Sequence, residues 1–218
     1  IRPGQGAHRS VVRNPASCCF RLGPMPFEDA AALPQILVTP YYALVEIARL
    51  QAKESVLIHA AASGVGQMAV QIAQMVGANV IATAGSEAQR ELLTKRYGLP
   101  ADRILSSQDL SFVDGVQQLT SGRGVDVVLN SLTGNLLHGS WRCVAAFGRF
   151  VEIGTQDIRE NAMLEMAPFQ RNVLFAAVDL VTLYATDQAL GARLFQEVCD
   201  LCHVGKLGLP ETIRGVSY

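Results

Sequence analysis

The run Glu54-Ser-Val-Leu-Ile-His-Ala-Ala-Ala-Ser-Gly-Val-Gly-Gln-Met-Ala-Val-Gln-Ile-Ala73 decides how this chain folds. Ser55 to His59 is a short apolar run of strand character. Ala61 to Gly66 follows as a turn of small residues. From there Val65, Met68, Ala69, Ile72, Ala73 and Val76 recur at helical spacing. In a dinucleotide-binding turn the first small residue bends the chain, the second lets backbone approach a pyrophosphate, and the third lets helix and strand pack closely. Ala61, Ser63 and Gly66 hold those places, with Gly64 and Val65 between them. The strict G-x-G-x-x-G pattern is absent, and a plain tight strand-to-helix turn is the competing reading.

Outward from this run, strand-like stretches alternate with helical ones. The predicted strands are Ser55 to His59, Val80 to Thr83, Arg103 to Ser106, Val125 to Asn130, Arg149 to Ile153 and Val173 to Val178. Strict alternation implies a parallel sheet covered on both faces, because parallel neighbours need helical crossovers. The fold class is therefore α/β with a doubly wound parallel sheet. Upstream, residues 1 to 35 are Pro-rich and aperiodic, so irregular chain is expected there. Thr39 and Pro40 are expected to open a helix, Thr as N-cap and Pro at the first position. A last helix is expected from about Asp187 to His203, ending at Gly205.

The tip of the second strand bears on cofactor choice. An NAD-specific site places a carboxylate there for the ribose hydroxyls. Counting 24 residues on from Ala61 reaches Gly85, and no acid stands at the tip. Ser86 and Arg90 follow, a hydroxyl and a fixed cation suited to a 2′-phosphate, so NADPH is favoured over NADH. Ser86 with Gln89 also forms a capping box for the next helix, a role compatible with a phosphate contact.

Composition excludes several classes. The 218 residues are 50% hydrophobic, with 18 Lys plus Arg against 19 Asp plus Glu, and the mean hydropathy is +0.24. That balance gives no basic field for a nucleic acid. The longest apolar stretch, Val173 to Leu183, is interrupted by Asp179 and is too short for a membrane helix. The first residues lack an initiator Met and a secretion-signal layout, so the chain is expected to be cut from a longer, cytoplasmic protein. Five Cys at 18, 19, 143, 199 and 202 form no disulfide framework. Cys199, Cys202 and His203 spell C-x-x-C-H, the pattern of a haem attachment, yet Leu194, Phe195, Val198, Leu201 and Cys202 lie on one stripe of a helix. Packing positions are the preferred reading. The scattered His 8, 59, 138 and 203 suggest no metal site.

Several stretches together resemble the enoyl reductase domain of highly reducing, fungal-type iterative polyketide synthases, within the zinc-independent medium-chain dehydrogenase/reductase superfamily. They are V-T-P-Y-Y-A-L-V-E-I-A-R-L from Val38, the run from Glu54 quoted above, G-V-D-V-V-L-N-S-L from Gly124 and S-W-R-C-V-A-A-F-G-R-F-V-E-I-G from Ser140. The resemblance implies a Rossmann-type domain at residues 39–205. Residues 1–38 would then be a segment of a second, substrate-binding domain and 206–218 the start of a return to it. It implies that Ala61 to Gly66 hold the pyrophosphate and that Gly85, Ser86 and Arg90 form the 2′-phosphate loop. Asn130, Ser131 and Leu132, with Ile153 and Gly154, would face the nicotinamide. Asp157 matches an Asp that assists catalysis in relatives. The Lys paired with that Asp in relatives falls on Leu136, and the common E-I-G-K reads Glu152-Ile153-Gly154-Thr155, so the proton donor stays unnamed.

The implied activity is NADPH-dependent reduction of a 2,3-enoyl thioester carried on an acyl carrier protein, without a metal. Other synthase domains, and in one assembly a homodimer, are the implied partners. A free-standing quinone or alkenal reductase and a truncated, non-catalytic cofactor-binding remnant are the alternatives. The fragment alone is expected to be inactive, with apolar surface exposed near Leu132 and Ile153 where a second domain would sit.

Overall fold

The computed structural model describes residues 10, 11, 19 and 27–211. Six strands form one parallel sheet in the order β3-β2-β1-β4-β5-β6. They are β1 (Ser55–Ile58), β2 (Asn79–Ala84), β3 (Ile104–Ser106), β4 (Val125–Asn130), β5 (Val144–Glu152) and β6 (Leu174–Ala177). Every expected strand is present. The order reverses direction between β1 and β4, which places a crevice above their carboxyl ends.

Alternation along each strand separates two cores. Val56 and Ile58 of β1, Val80, Ala82 and Ala84 of β2, Val127 and Leu129 of β4, and Val151 of β5 face one layer. That layer is built on α1 (Phe27–Tyr41), α2 (Gly64–Val76), α3 (Glu87–Tyr97), α7 (Leu180–Thr186) and α8 (Gln188–His203). Leu57, Ile81, Val128 and Phe150 face the opposite layer, which holds Phe112 of α4 (Ser111–Leu119) and Leu137 and Trp141 of α5 (Asn135–Arg142). Period-two alternation read by two apolar layers leaves each strand buried on both sides.

The chain upstream of β1 departs from the expected start at Thr39. Phe27–Tyr41 is one helix with Pro34 and Pro40 inside it, so the expected boundary between residues 38 and 39 falls within α1. Residues 27–35, expected to be irregular, belong to this helix; most of the chain before it lies outside the described residues. Pro40 cannot donate to the turn before it, and the chain next widens into a π-helical segment, Tyr42–Ile47. There the Ala48 N–H donates to the Ala43 carbonyl at 2.9 Å. Thr39 is buried in the last turn of α1 and is not the N-cap expected of it. Tyr41 and Tyr42 are half-buried against the core.

β5 begins at Val144, five residues before the expected Arg149. Its register with β4 shifts between Val125 and Val127, and Phe147 sits exposed with φ of 60°. The sequence V-A-A-F-G hides this extension because a bulge breaks its alternation. At the amino edge of the sheet, Arg149 clasps both oxygens of Glu54 at 2.8 and 2.7 Å and donates to the Ala48 carbonyl. Asp126 accepts from the Ser55 amide and hydroxyl, each at 2.7 Å, and from Arg123. Arg123 and these Ser55 donors hold its carboxyl well below the usual carboxylate range.

In α8, Asp187 caps the first turn through Leu190 N, while Leu194, Phe195 and Val198 are buried and Leu201 and Cys202 half-buried. Cys199 and Cys202 thus pack on the apolar layer. Among the described residues, no helix is long and apolar enough to cross a membrane.

Trp141 centres the second layer. It is fully buried, packs edge-on against Phe150, Phe169 and Phe175 at centroid distances of 5.4, 5.0 and 5.8 Å, and donates its indole N–H to the Glu165 carbonyl at 2.7 Å. Trp141→Ala should cost about 3–5 kcal/mol, combining lost burial, a cavity and an orphaned carbonyl. Because Trp141 is the only Trp, the check is urea unfolding followed by circular dichroism. An unchanged midpoint would remove Trp141 as the centre of this layer.

Candidate functional site

The carboxyl edge of β1, β4 and β5 gathers most of the residues singled out from the sequence. After β1 the chain passes through Ala60, whose φ of 47° lies in the left-handed region. That conformation costs an L-residue roughly 1–2 kcal/mol. The Thr83 hydroxyl holds it by accepting from the Ala60 N–H at 3.2 Å, and Ala61 N–H donates to the Thr83 carbonyl at 3.0 Å. Ser63 then caps α2 by accepting from Gly66 N–H at 3.1 Å. Gly66 permits the close approach of helix to turn. A Cβ there would collide with the Ala60 carbonyl oxygen and stand 2.6 Å from Ala61 Cα. Gly64 serves a different contact, since its own Cβ would press on Ile36 of α1 at 3.1 Å. The amino end of α2, with the Ser63 cap and the Gly64 to Gly66 amides, opens at the switch in strand order.

Ser86 caps α3 by accepting from Gln89 N–H, and the side-chain oxygen Oε1 of Gln89 accepts from the Gly85 N–H at 2.7 Å. The tip of β2 thus carries no acid; the Ser86 half of the capping box is formed, while Gln89 reaches one residue past the N-cap, to Gly85. Arg90 is one turn further on, and its guanidinium donates to the Ile104 carbonyl at the start of β3. The structure therefore brings Ser86 to the edge but turns the Arg90 head back along the sheet.

On the far side of the switch, Asn130 and Glu152 end β4 and β5 as direct neighbours, and both are buried. Asn130 Nδ2 donates to Glu152 Oε2 at 2.5 Å and to the Leu132 carbonyl at 2.8 Å, while its Oδ1 accepts from Leu132 N–H. Glu152 Oε1 accepts from Gly154 N–H at 2.5 Å. Burial, with the Asp157 charge adding to it, pushes the Glu152 carboxyl up to about 7 against the hydrogen bonds from Asn130 and Gly154. Leu132 and Ile153 are half-buried against opposite cores, more covered than a lost domain wall implied. The strongly exposed apolar side chains nearby are Ile158, Met163 and Met166.

Asp157 lies in α6 (Gln156–Arg159), and both its oxygens accept from the Gly134 N–H at 3.2 Å, tying the segment after β5 to the loop between β4 and α5. It lines a cleft of about 150 Å³ with Leu137, His138, Glu152 and Phe175.

Two groups at this edge escaped the sequence reading. One is Glu152, seen there only as a letter in E-I-G. The other is His59, fully buried at the end of β1, with Nδ1 3.1 Å from Thr83 Oγ1 and Nε2 2.8 Å from Ser140 Oγ. Ser140 Oγ donates to the Leu136 carbonyl at 2.7 Å, so it accepts from His59 Nε2–H, and Nδ1 accepts from Thr83. This chain welds β1, β2 and α5 under the turn, and burial drops the imidazole to about 3. A polar residue ending an otherwise apolar strand was the available signal for both.

With this geometry in place, comparison with known proteins is decisive. The model of the zinc-binding dehydrogenase family matches residues 64–190. The chain belongs to that family. It is 66% identical over its whole length to the hybrid PKS-NRPS synthetase pyvA of Aspergillus violaceofuscus and 45% identical, over 94% of its length, to the highly reducing polyketide synthase poxF of Penicillium oxalicum. It spans 6% and 8% of those proteins. Among solved structures, the nucleotide-binding subdomain of the enoylreductase domain of PpsC from Mycobacterium tuberculosis is 37% identical with a TM-score of 0.75, over 82% of this chain and 98% of that one. Within the family the chain therefore groups with the enoyl reductase domains of polyketide synthases. Among the described residues, no three His, Cys, Asp or Glu side chains converge to hold a metal ion, so the zinc of the family's name finds no donor set among them.

The two shifted buried groups oppose each other with pH. The folded imidazole of His59 sits below its ordinary 6.5, so its contribution is full above 6.5 and is lost as pH falls towards 3. The folded carboxyl of Glu152 sits above its ordinary 4.5, so its contribution is full below 4.5 and is lost as pH rises through 7. Each slope is about 1.4 kcal/mol per pH unit, with opposite sign. Thermal unfolding should therefore be nearly level from pH 4.5 to 6.5 and fall steeply below 4.5, where Asp126 adds to His59. A midpoint that drops steadily from pH 6.5 downward would show that Glu152 holds no proton in the folded chain.

Proposed function

We propose that the chain is the cofactor half of an NADPH-dependent enoyl reductase domain of a polyketide synthase, acting on 2,3-enoyl thioesters presented by an acyl carrier protein. The observation that carries this reading is the amino end of α2, capped by Ser63 and drawn against the turn by Gly66, opening at the switch between β1 and β4. In this proposal the turn Ala61 to Gly66, with Ser63 as cap, holds the pyrophosphate, and the Gly64 and Val65 amides at the helix end are the donors beside the Ser63–Gly66 bond. Asn130, Ser131, Leu132, Ile153 and Gly154 face the nicotinamide. Bound there, the reduced cofactor supplies a hydride for the β-carbon of the enoyl thioester, and the α-carbon takes a proton.

The residues contribute orientation. Thr83 and His59 fix the turn, and Asp157, expected to assist catalysis, acts here by holding the Gly134 amide and with it the β4 loop. NADPH is preferred because no carboxylate at Gly85 awaits a ribose hydroxyl and Ser86 presents its hydroxyl there. Arg90 joins a 2′-phosphate by exchanging its bond to the Ile104 carbonyl for a charge-assisted one. The expected substrate-domain segments 1–38 and 206–218 do not carry over whole, because Leu37, Val38 and Leu207 are buried in the core of the cofactor half; other synthase domains are proposed as partners, and a second copy of the chain as a homodimer mate.

Calorimetric titration of the chain should give NADPH at least tenfold tighter binding than NADH, about 1.4 kcal/mol, with Arg90→Ala erasing most of the difference. Equal affinities would overturn the 2′-phosphate assignment. An unchanged preference in Arg90→Ala would leave Arg90 as a strut for β3 alone. Turnover of a crotonyl thioester followed by NADPH absorbance, compared with turnover of a quinone, separates this reading from a free-standing quinone reductase. Binding without turnover even when the flanking synthase sequence is restored would select a non-catalytic remnant.

A further inference from the structure

We propose that Glu152 is a positioning residue for the nicotinamide end of the site, a buried carboxylate that clamps the tips of β4 and β5 into one surface. The proposal rests on the reading of this edge as a cofactor site. Its geometric basis is that the two oxygens of Glu152 are divided between two strands. Oε2 takes Asn130 Nδ2 from β4 and Oε1 takes the Gly154 amide just beyond β5, both at 2.5 Å. Asn130 cannot turn over to suit a different partner, because its remaining amide hydrogen and its carbonyl oxygen are both committed to Leu132. One side chain thereby fixes Asn130, Leu132 and Gly154 together. A Cβ at Gly154 would stand 2.6 Å from Glu152 Oε1, so a side chain there would push on the carboxylate.

Only an acceptor-only group satisfies this arrangement. Both neighbours are N–H donors, so the ionised carboxylate meets them and a protonated one turns an O–H towards a donor. A carboxyl that titrates about 7 in this setting makes the clamp responsive to mild acid. The groups facing Glu152 from neighbouring elements are few. His138 on α5 and Asp157 on α6 line the same cleft, β4 offers the uncharged Asn130, and β6 places Ala177 in register with it. Glu152→Gln leaves His138 and Asp157 in place, so it isolates the contribution of Glu152.

The test is fluorescence titration of NADPH against the 218-residue chain and Glu152→Gln from pH 6 to 8.5. Circular dichroism serves as the folding control, and the backbone amide resonance of Gly154 is followed without nucleotide. The parent should lose at least fivefold in affinity between pH 8 and 6 beyond any change in Glu152→Gln, since titration of the nucleotide's own phosphate is common to both. Glu152→Gln should bind at least fivefold more weakly at pH 8, because its amide N–H₂ meets one of the two donors. The Gly154 amide should shift with a midpoint near 7 in the parent and not in the variant. Equal affinity of both proteins with parallel pH profiles would overturn the clamp and leave the cofactor reading standing. No binding by the parent at any pH would overturn both. Should Glu152→Gln fail to fold, the parent alone decides: an affinity and a Gly154 resonance unchanged across pH 7 overturn the clamp.

Discussion

The closeness of α2 to the turn after β1 is the constraint on which the rest of this molecule depends. The Gly66 backbone lies so near Ala60 and Ala61 that a methyl group does not fit between them. To reach that distance the chain takes a left-handed residue at Ala60, and the Thr83 hydroxyl and carbonyl secure the turn from β2. His59 then bridges Thr83 to Ser140 on α5, so the turn is held from below by both halves of the sheet. The neutral state of His59 follows from the same crowding, which leaves no water to solvate an imidazolium.

The sheet was legible in the sequence because burial on both faces writes itself as short, continuous apolar runs, and all six strands were found where such runs stand. Gly66 and Ser86 were legible because caps and close approaches depend on residue type within a few positions, whereas Ser63 was read as a turn residue and its capping of α2 came from the structure. The start of α1 was not, since Thr39-Pro40 is as good an opening as it is an interior pair preceding a widened π turn. Nor was the early start of β5, hidden by a bulge at Phe147 and Gly148. The direction of the Arg90 side chain depends on where β3 lies, information that no local pattern contains.

Asn130 and Glu152 show another limit of sequence reading. Each was noticed, one as a strand-end residue and one as a letter in a family word, yet their pairing arises only from the β4–β5 register. Polar residues at the carboxyl ends of adjacent parallel strands meet across the ladder, although 22 positions separate them in the chain. The two edges of the sheet are consequently unlike. The amino edge is stapled by the charged pairs Arg149–Glu54 and Arg123–Asp126. The carboxyl edge is organised by buried groups whose protonation is unsettled by their surroundings.

The strand order also has a consequence for synthesis on the ribosome. β1, β2 and β3 can assemble as soon as they emerge, but the second neighbour of β1 is β4, and the Ser55–Asp126 bonds span 71 positions. At roughly 5–20 residues per second, that edge waits roughly 4–14 seconds for its mate. Throughout the interval a nascent half-sheet presents the unpaired backbone of Val56, Leu57 and Ile58 to whatever is near. The stretch that makes the finished site is thus an open strand edge until β4 has been made.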